Sequence, residues 1–221
     1  EVFKGEALIA FEENILPHYI LHCRWFGSKT KKISKLQIID NIIFRLPTVN
    51  SHVLLLKISF SDGQEEFYQI AISFLFKHAA ISIIENYPQA IICDITVDEN
   101  DGILYDCIYD EYLQEMLFET IAFRKKVRTP NGSIYGNTRQ VKIIQKDEIR
   151  NTPSRVLKAE QSNTSVIFDE KFFLKVYRRL ENGINPELET MSFLSEKNFP
   201  YIPPFPGSLQ YQTQKGQNIS L

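Results

Sequence analysis

Two apolar segments joined by a short polar turn constrain the fold of this chain most strongly. Residues 53–60 and 66–74 are rich in leucine, isoleucine and aromatic side chains, and Ser61-Asp62-Gly63-Gln64 connects them. Asp-Gly is a strong hairpin signal, because these two residues adopt the backbone angles that tight turns require. The sequence therefore predicts an antiparallel sheet.

Other periodic segments extend this sheet and add helices to it. Strands are predicted at 36–46, 90–97 and 102–108, and helices at 6–16 and 111–127. Pro17 is expected to end the first helix, since proline lacks a backbone N–H. The second helix ends in Arg124, Lys125 and Lys126, cations that favour the negative C-terminal end of a helix.

Turn-forming residues concentrated at 129–137 mark the expected domain boundary. Beyond them the pattern changes to three strands, one helix that begins at Pro186 with Asn185 as its cap, and a further strand. The three strands are predicted at 155–158, 165–168 and 172–177, the helix at 186–197 and the last strand at 208–211. We therefore predict an α+β fold with subdomains at residues 1–130 and 131–221, each built on an antiparallel sheet.

Charge and composition exclude several classes of partner. The 221 residues have 25 basic and 27 acidic side chains and no long apolar run. A nucleic-acid or membrane-surface protein needs a concentrated positive field, so neither partner is expected. Three widely spaced cysteines without a CxxC pair predict reduced thiols and no metal site. We expect a soluble, cytoplasmic protein.

One lysine in an apolar strand is the clearest candidate for chemistry. Lys175 interrupts the strand at 172–177, shortly after the polar turn at 161–164, which can present backbone N–H groups and hydroxyls to phosphate oxygens. The next helix carries Glu187 and Glu189, and a strand lysine paired with a helix glutamate positions nucleotide phosphates in protein-kinase-like enzymes. The structural alternative is a solvated lysine on an edge strand.

Four ordered motifs resemble those of maltokinases, including the maltokinases that are fused to trehalose synthase. They are Arg-Trp-Phe-Gly-Ser-Lys at 24–29, Glu-Gln-Ser-Asn-Thr-Ser at 160–165, Leu-Lys-Val-Tyr-Arg-Arg at 174–179 and Gly-Ile-Asn-Pro-Glu-Leu-Glu at 183–189. The resemblance implies an N-terminal cap at 1–130, a protein-kinase-like N-lobe at 131–221, and ATP- and Mg²⁺-dependent phosphorylation of maltose to maltose 1-phosphate. It also implies that residues 161–165 replace a glycine-rich phosphate loop and that Glu189 holds Lys175, with Glu187 as the alternative. The implied nucleotide-binding residues are Gln161, Ser162, Asn163, Thr164, Ser165, Lys175 and Glu189.

The resemblance has a gap at the catalytic loop. The family would carry an Asp with an Asn or Gln, and then a metal-binding Asp, but no such loop or Asp-Phe-Gly-like triplet occurs here. We therefore expect these residues to be the N-terminal part of a longer enzyme, to lack the C-lobe and to be inactive alone. The alternatives are a related phosphotransferase for another sugar or an aminoglycoside, and a non-catalytic cap or regulatory module of a trehalose synthase.

Structural roles are expected for the other conspicuous residues. Trp25 and Phe26 are interpreted as a core anchor, and Arg24 and Lys29 as solvated side chains. Arg178-Arg179 is expected at a strand end in water, and Asp106, Asp110 and Glu111 in a turn before an acidic first helical turn. His18 and His22 have the spacing of metal ligands on a helix, but no third ligand follows them.

Overall fold

The computed structural model describes residues 2–45, 49–138, 152–157, 162–181 and 183–221. The chain begins with α1 (Gly5–Ala10), a π-helical turn (Phe11–Ile15) and α2 (Leu16–His22). Five antiparallel strands follow, interrupted by α3 (Ile81–Asn86) and followed by α4 (Glu111–Ala122). These strands are β1 (Ile33–Arg45), β2 (Asn50–Phe60), β3 (Glu65–Phe76), β4 (Ile91–Val97) and β5 (Asn100–Asp106).

Among the described residues, the remaining elements are one helix, α5 (Pro186–Glu196), two smaller sheets and one further strand of the large sheet. Their strands are β6 (Lys126–Arg128), β7 (Gly132–Thr138), β8 (Ser154–Val156), β9 (Asn163–Phe168), β10 (Phe172–Tyr177), β11 (Arg179–Leu180), β12 (Gly207–Thr213) and β13 (Asn218–Ser220). Short 3₁₀ turns lie at Lys77–Ala79, Pro88–Ala90 and Cys107–Tyr109.

Within the described ranges, all paired strands run antiparallel, and they form three sheets. The first has the order β1-β2-β3-β5-β4, with β11 added to β3; the others are β10-β9-β8 and β13-β12-β7-β6. The predicted hairpin is confirmed, with Gly63 at φ 81° and the Gly63 N–H donating to the carbonyl of Phe60. These antiparallel sheets with few helices confirm the predicted α+β class.

The large sheet is buried on both faces, which explains why its central strands are almost continuously apolar. Because side chains alternate along a strand, Val53 and Leu55 face one side of the sheet and Leu54 and Leu56 the other. The latter two join a core beneath the N-terminal helices, with Phe11 and Leu16 among its fully buried members. The former two join a core that contains residues of α4 and of the four-stranded sheet.

Helix α4 connects the three sheets. Leu113, Leu117 and Ile121 belong to the core under the large sheet, together with residues of the four-stranded sheet. Phe118 instead packs on Val166 and Phe168 of the three-stranded sheet. Asp110 caps the helix by accepting a hydrogen bond from the Tyr112 N–H at 2.8 Å.

The predictions for three segments were clearly wrong. The first helical segment does not end at Pro17 but continues to His22, because the wider π-helical turn just before it accommodates a residue without an N–H. Helix α4 ends at Ala122 rather than 127, and Arg124 adopts a left-handed φ of 50°. The turn-rich segment 129–137 contains strand β7.

Close backbone packing explains why the glycine-rich segment forms a strand. A Cβ on Gly136 would clash with the backbone of Thr120 in α4, and one on Gly207 would meet the backbone of the paired strand. Glycine thus marks a close approach here rather than a loop. Thr129, in the turn before β7, also donates a hydrogen bond to buried Asp40 of β1. The predicted boundary at 130/131 falls within this turn and stays a prediction.

We expect Gly136→Ala to lower the free energy of unfolding by about 2 kcal/mol or more, because the methyl group forces α4 away from β7. Gly27→Ala is the control, since a Cβ there meets no atom within 4 Å. This control should stay within about 0.5 kcal/mol of the parent protein in urea unfolding. Equal stability of the two variants would show that α4 and β7 do not pack this closely.

Candidate functional site

An ion pair between β10 and α5 forms the centre of the candidate site. The Nζ atom of Lys175 lies 2.9 and 2.8 Å from the two carboxylate oxygens of Glu187. The lysine side chain is 26% exposed and the glutamate 50%, so the pair lies at the edge of solvent. The predicted strand-lysine and helix-glutamate pair is thus present, but the preference for Glu189 as its partner was wrong.

The start of α5 explains why Glu187 is the partner. The predicted cap Asn185 is confirmed, since its side-chain oxygen accepts a hydrogen bond from the Glu187 N–H at 2.9 Å. Pro186 occupies the first helical position, where a missing N–H costs nothing. Glu187 and Glu189 both lie in the first turn, where the helix dipole favours a carboxylate. Since residues two positions apart face different sides of a helix, only one of them can face Lys175, and that residue is Glu187.

The ion pair borders a cleft of about 470 Å³ between the three sheets, α4 and α5. Most of its wall is apolar, with contributions from Ile108, Leu117, Phe118, Leu174, Leu188 and Leu209. Lys175, Glu187 and the buried Arg178 are among the charged residues that line it. A mostly apolar cavity of this size with a few convergent polar groups is typical of small-molecule sites.

The residues predicted to form a phosphate loop occupy different environments. Gln161 lies outside the described residues, and Ser162 is exposed before β9. Asn163, Thr164 and Ser165 are not in a turn: they are strand residues paired with Tyr177, Val176 and Lys175. The side chains of Thr164 and Ser165 are buried. The exposed turn predicted at 161–164 was therefore wrong for Asn163 and Thr164, whereas Ser165 lies in a strand as predicted.

Thr164 binds a buried arginine instead. Arg178 Nε donates to Thr164 Oγ1 at 2.8 Å, and Arg178 Nη2 donates to Asp106 Oδ2 at 2.7 Å. The guanidinium also lies 5.3 Å from the centre of the Trp25 ring, within the range of a cation–π contact. Three of the four sequence motifs therefore meet at one side chain.

Arg178 is fully buried, so the expectation of a solvated strand end was wrong for this residue. Burial lowers the pKa of an arginine, but the Asp106 carboxylate outweighs that effect and the pKa of Arg178 is raised. Burial raises the pKa of the Asp106 carboxyl, an effect that Arg178 opposes. Each group thus depends on the other to remain charged inside the protein.

The alternation of side chains between the two faces of β10 could have predicted that Arg178 is buried. Leu174 and Val176 pack against the main core, and the next residue on that face is Arg178. No comparable signal marked Asp106, which was interpreted only as part of a turn. It ends β5 and accepts a hydrogen bond from the Ile108 N–H as well as from the arginine.

Arg179 makes a second, more exposed contact with the large sheet. Its Nη2 atom lies 3.1 Å from Oε1 of Glu66, a carboxylate that is only 6% exposed. The Glu66 carboxylate also accepts hydrogen bonds from Ser28 Oγ at 2.8 Å and from Tyr68 Oη at 2.6 Å. Burial raises the pKa of Glu66, but these donors and the cations outweigh it and lower its pKa.

The motif at 24–29 thus has mainly a structural role. Phe26 is fully buried and contacts the Tyr68 ring, and Trp25 is half-buried beneath Arg178, which confirms the core-anchor interpretation. Arg24 and Lys29 are exposed, as expected. Ser28, whose role the sequence did not indicate, orients Glu66.

His18 and His22 share one face of α2, with ring centroids 4.6 Å apart. His22 Nδ1 lies 2.8 Å from the His18 carbonyl oxygen. Within the part of the chain that the structure describes, no group of three or more His, Cys, Asp or Glu side chains could hold a metal ion. No helix among the same residues is long and apolar enough to cross a membrane.

We expect Arg178→Met to lower the free energy of unfolding by about 3–5 kcal/mol, because Asp106 would remain buried without a counter-charge. Arg179→Met is the matched control: its guanidinium is 55% exposed, and the buried Glu66 keeps its hydrogen bonds from Ser28 and Tyr68, so the loss should be about 1 kcal/mol or less. Urea unfolding of both variants measures the difference. A loss in Arg178→Met no greater than that in the control would contradict the burial of this pair.

A known family model matches the part of the chain that contains Asp106 and Glu66, the carboxylates that bind Arg178 and Arg179. Residues 19–110 match the family model of the maltokinase N-terminal cap domain. The matched segment contains strands β1 to β5, the motif at 24–29, and the carboxylates of both Asp106 and Glu66. The N-terminal part of this chain is therefore maltokinase-like.

Proposed function

We propose that this chain forms the cap and the nucleotide-binding lobe of an ATP-dependent kinase that phosphorylates maltose to maltose 1-phosphate. The match to the maltokinase cap domain supports a maltokinase-related role. The finer assignment depends mainly on the Lys175–Glu187 ion pair, which lies at the edge of a cleft large enough for a nucleotide.

The geometry of the ion pair suits a phosphate-binding lysine. An ammonium group has three N–H donors, and two of them can serve the oxygens of Glu187. This arrangement fixes the direction of the lysine and leaves a donor for a phosphate oxygen. The apolar wall formed by Leu174 and Leu188 can contact the flat base of a nucleotide.

The roles of the chain's own residues follow from this geometry. ATP, when bound, supplies the phosphoryl group. Lys175 would neutralise charge on the phosphates, and Glu187 would keep the lysine extended towards them. In kinases of this type the base and the Mg²⁺ ligands belong to the catalytic lobe, so we expect the full-length protein to supply both there.

In the full-length protein, Lys175→Ala should reduce kcat/KM for ATP by about 100-fold or more, since it removes the charge that positions the phosphates. Glu187→Gln should cause a smaller loss. Glu189→Gln is the matched control and should stay within about twofold of the parent, because the structure pairs Lys175 with Glu187. The assay is ADP release with maltose and Mg²⁺.

The same assay distinguishes the alternatives. ADP release with another sugar or an aminoglycoside, but not with maltose, would retain the kinase and replace the substrate. No ADP release with any acceptor would favour a non-catalytic cap or regulatory module, such as one associated with a trehalose synthase. Unchanged turnover in Lys175→Ala would show that this lysine does not bind the nucleotide.

A further inference from the structure

The Lys175–Glu187 pair closes a short loop of chain that is attached to the cap at its middle. The loop runs from Lys175 to Glu187. Lys175 precedes Arg178 by three residues, and Glu187 follows Leu180 by seven. Between them, Arg179–Leu180 forms β11 and pairs with Tyr68 and Phe67 of β3. The strand that carries the lysine thus leaves the small sheet and joins the large one.

Backbone hydrogen bonds strengthen this attachment. The Gln69 N–H donates to the Arg178 carbonyl oxygen at 2.8 Å, and Gln69 Nε2 donates to the Tyr177 carbonyl oxygen at the same distance. One residue of β3 therefore holds two consecutive peptide units of the segment that follows β10. These contacts fix the position of the backbone beyond the lysine.

The side chains of two consecutive residues, Arg178 and Arg179, also attach this segment to the large sheet. Arg178 is held by Asp106 at the end of β5, and Arg179 by Glu66 at the start of β3. Both carboxylates are almost fully buried, so neither can rotate freely away from its partner. Both also belong to the segment that matches the cap domain.

Arg178 also reaches the other strand of the candidate site. Arg178 Nε donates to Thr164 of β9, and the next residue, Ser165, is paired with Lys175. A change at Arg178 would therefore affect both the strand that carries the lysine and the strand beside it. On the far side of the loop the contacts are different: the Asn185 N–H donates to Ser220 Oγ of β13, within the lobe.

We propose that the cap positions the nucleotide-binding lysine, with Asp106 and Glu66 acting as positioning residues through Arg178 and Arg179. This inference rests on the proposed function. Neither carboxylate needs to contact the nucleotide. Their effect reaches it through the backbone, because only two strand residues lie between Lys175 and Arg178 and a strand transmits displacement along its length. A displacement of about 1 Å at a reacting group can cost about 100-fold in rate.

Steady-state kinetics of the full-length protein test this inference. Asp106→Asn keeps the size of the side chain and an acceptor oxygen but removes the charge that holds Arg178. We expect it to raise the KM for Mg-ATP by about tenfold or more, with the KM for the sugar changed by less than about twofold. Loss of folded protein alone would lower the amount of active enzyme without changing either KM.

The exposed Arg179 provides a second test that does not depend on a buried substitution. Arg179→Met removes the cation beside Glu66, and Arg179→Lys keeps it. Arg179→Met should raise the KM for Mg-ATP several-fold, and Arg179→Lys should restore it to within about twofold. If Asp106→Asn yields no folded protein, the Arg179 pair decides the question.

The outcomes separate this inference from the proposed function. Unchanged KM values for Mg-ATP in the Asp106 and Arg179 variants, alongside a large effect of Lys175→Ala, would overturn the positioning role and leave the nucleotide site intact. No effect of Lys175→Ala would instead overturn the proposed function. Equal rises in the KM values for Mg-ATP and sugar would also contradict a role restricted to the lysine.

Discussion

The buried ion pair between Asp106 and Arg178 is the interaction on which the arrangement of this chain depends. An arginine without contact with water is stable only if its charge and its N–H donors find partners. Asp106, Thr164 and the ring of Trp25 supply them, and these come from β5, β9 and the segment after α2. The pair therefore fixes the position of the cap relative to the strands beside the cleft. Neither part can move far without separating two charges in a medium of low dielectric constant.

Hydrophobic packing surrounds this polar centre and explains the sheet order. Burial of the large sheet on both faces requires an element on each side, and the N-terminal helices and α4 fill these positions. Since α4 also packs on the three-stranded sheet through Phe118, it brings β9 and β10 to the end of β5. The close approach of β7 at Gly136 completes the same layer. Packing thus brings Asp106 and Arg178 together. The ion pair then favours this arrangement of the sheets, because it is the one in which both buried charges have partners.

Local patterns predicted much of the fold but little of the long-range polar network. The Asp-Gly hairpin, the strand at 172–177 and the helix capped by Asn185 depend on neighbouring residues, and each was predicted from the sequence. Strand β7 was missed because its glycines allow close approach to α4 and β12, which a local pattern does not contain. A strand lysine followed by a helix with two glutamates predicted the ion pair of Lys175. It did not identify Glu187 as the partner, because the direction of each glutamate depends on the exact start of α5. Arg178, Asp106 and Glu66 lie far apart in sequence and gained a role only through the tertiary structure.

A double-mutant cycle across Asp106 and Arg178 tests the central claim most directly. The free energies of unfolding of Asp106→Leu, Arg178→Met and the double variant would be compared with that of the parent in urea. Each single variant leaves one buried charge unpaired, whereas the double variant leaves none. The double variant should therefore be less destabilised than the sum of the single variants, by at least about 2 kcal/mol. Additivity within about 0.5 kcal/mol would show that the two residues do not form the buried pair that joins β5 to the segment after β10.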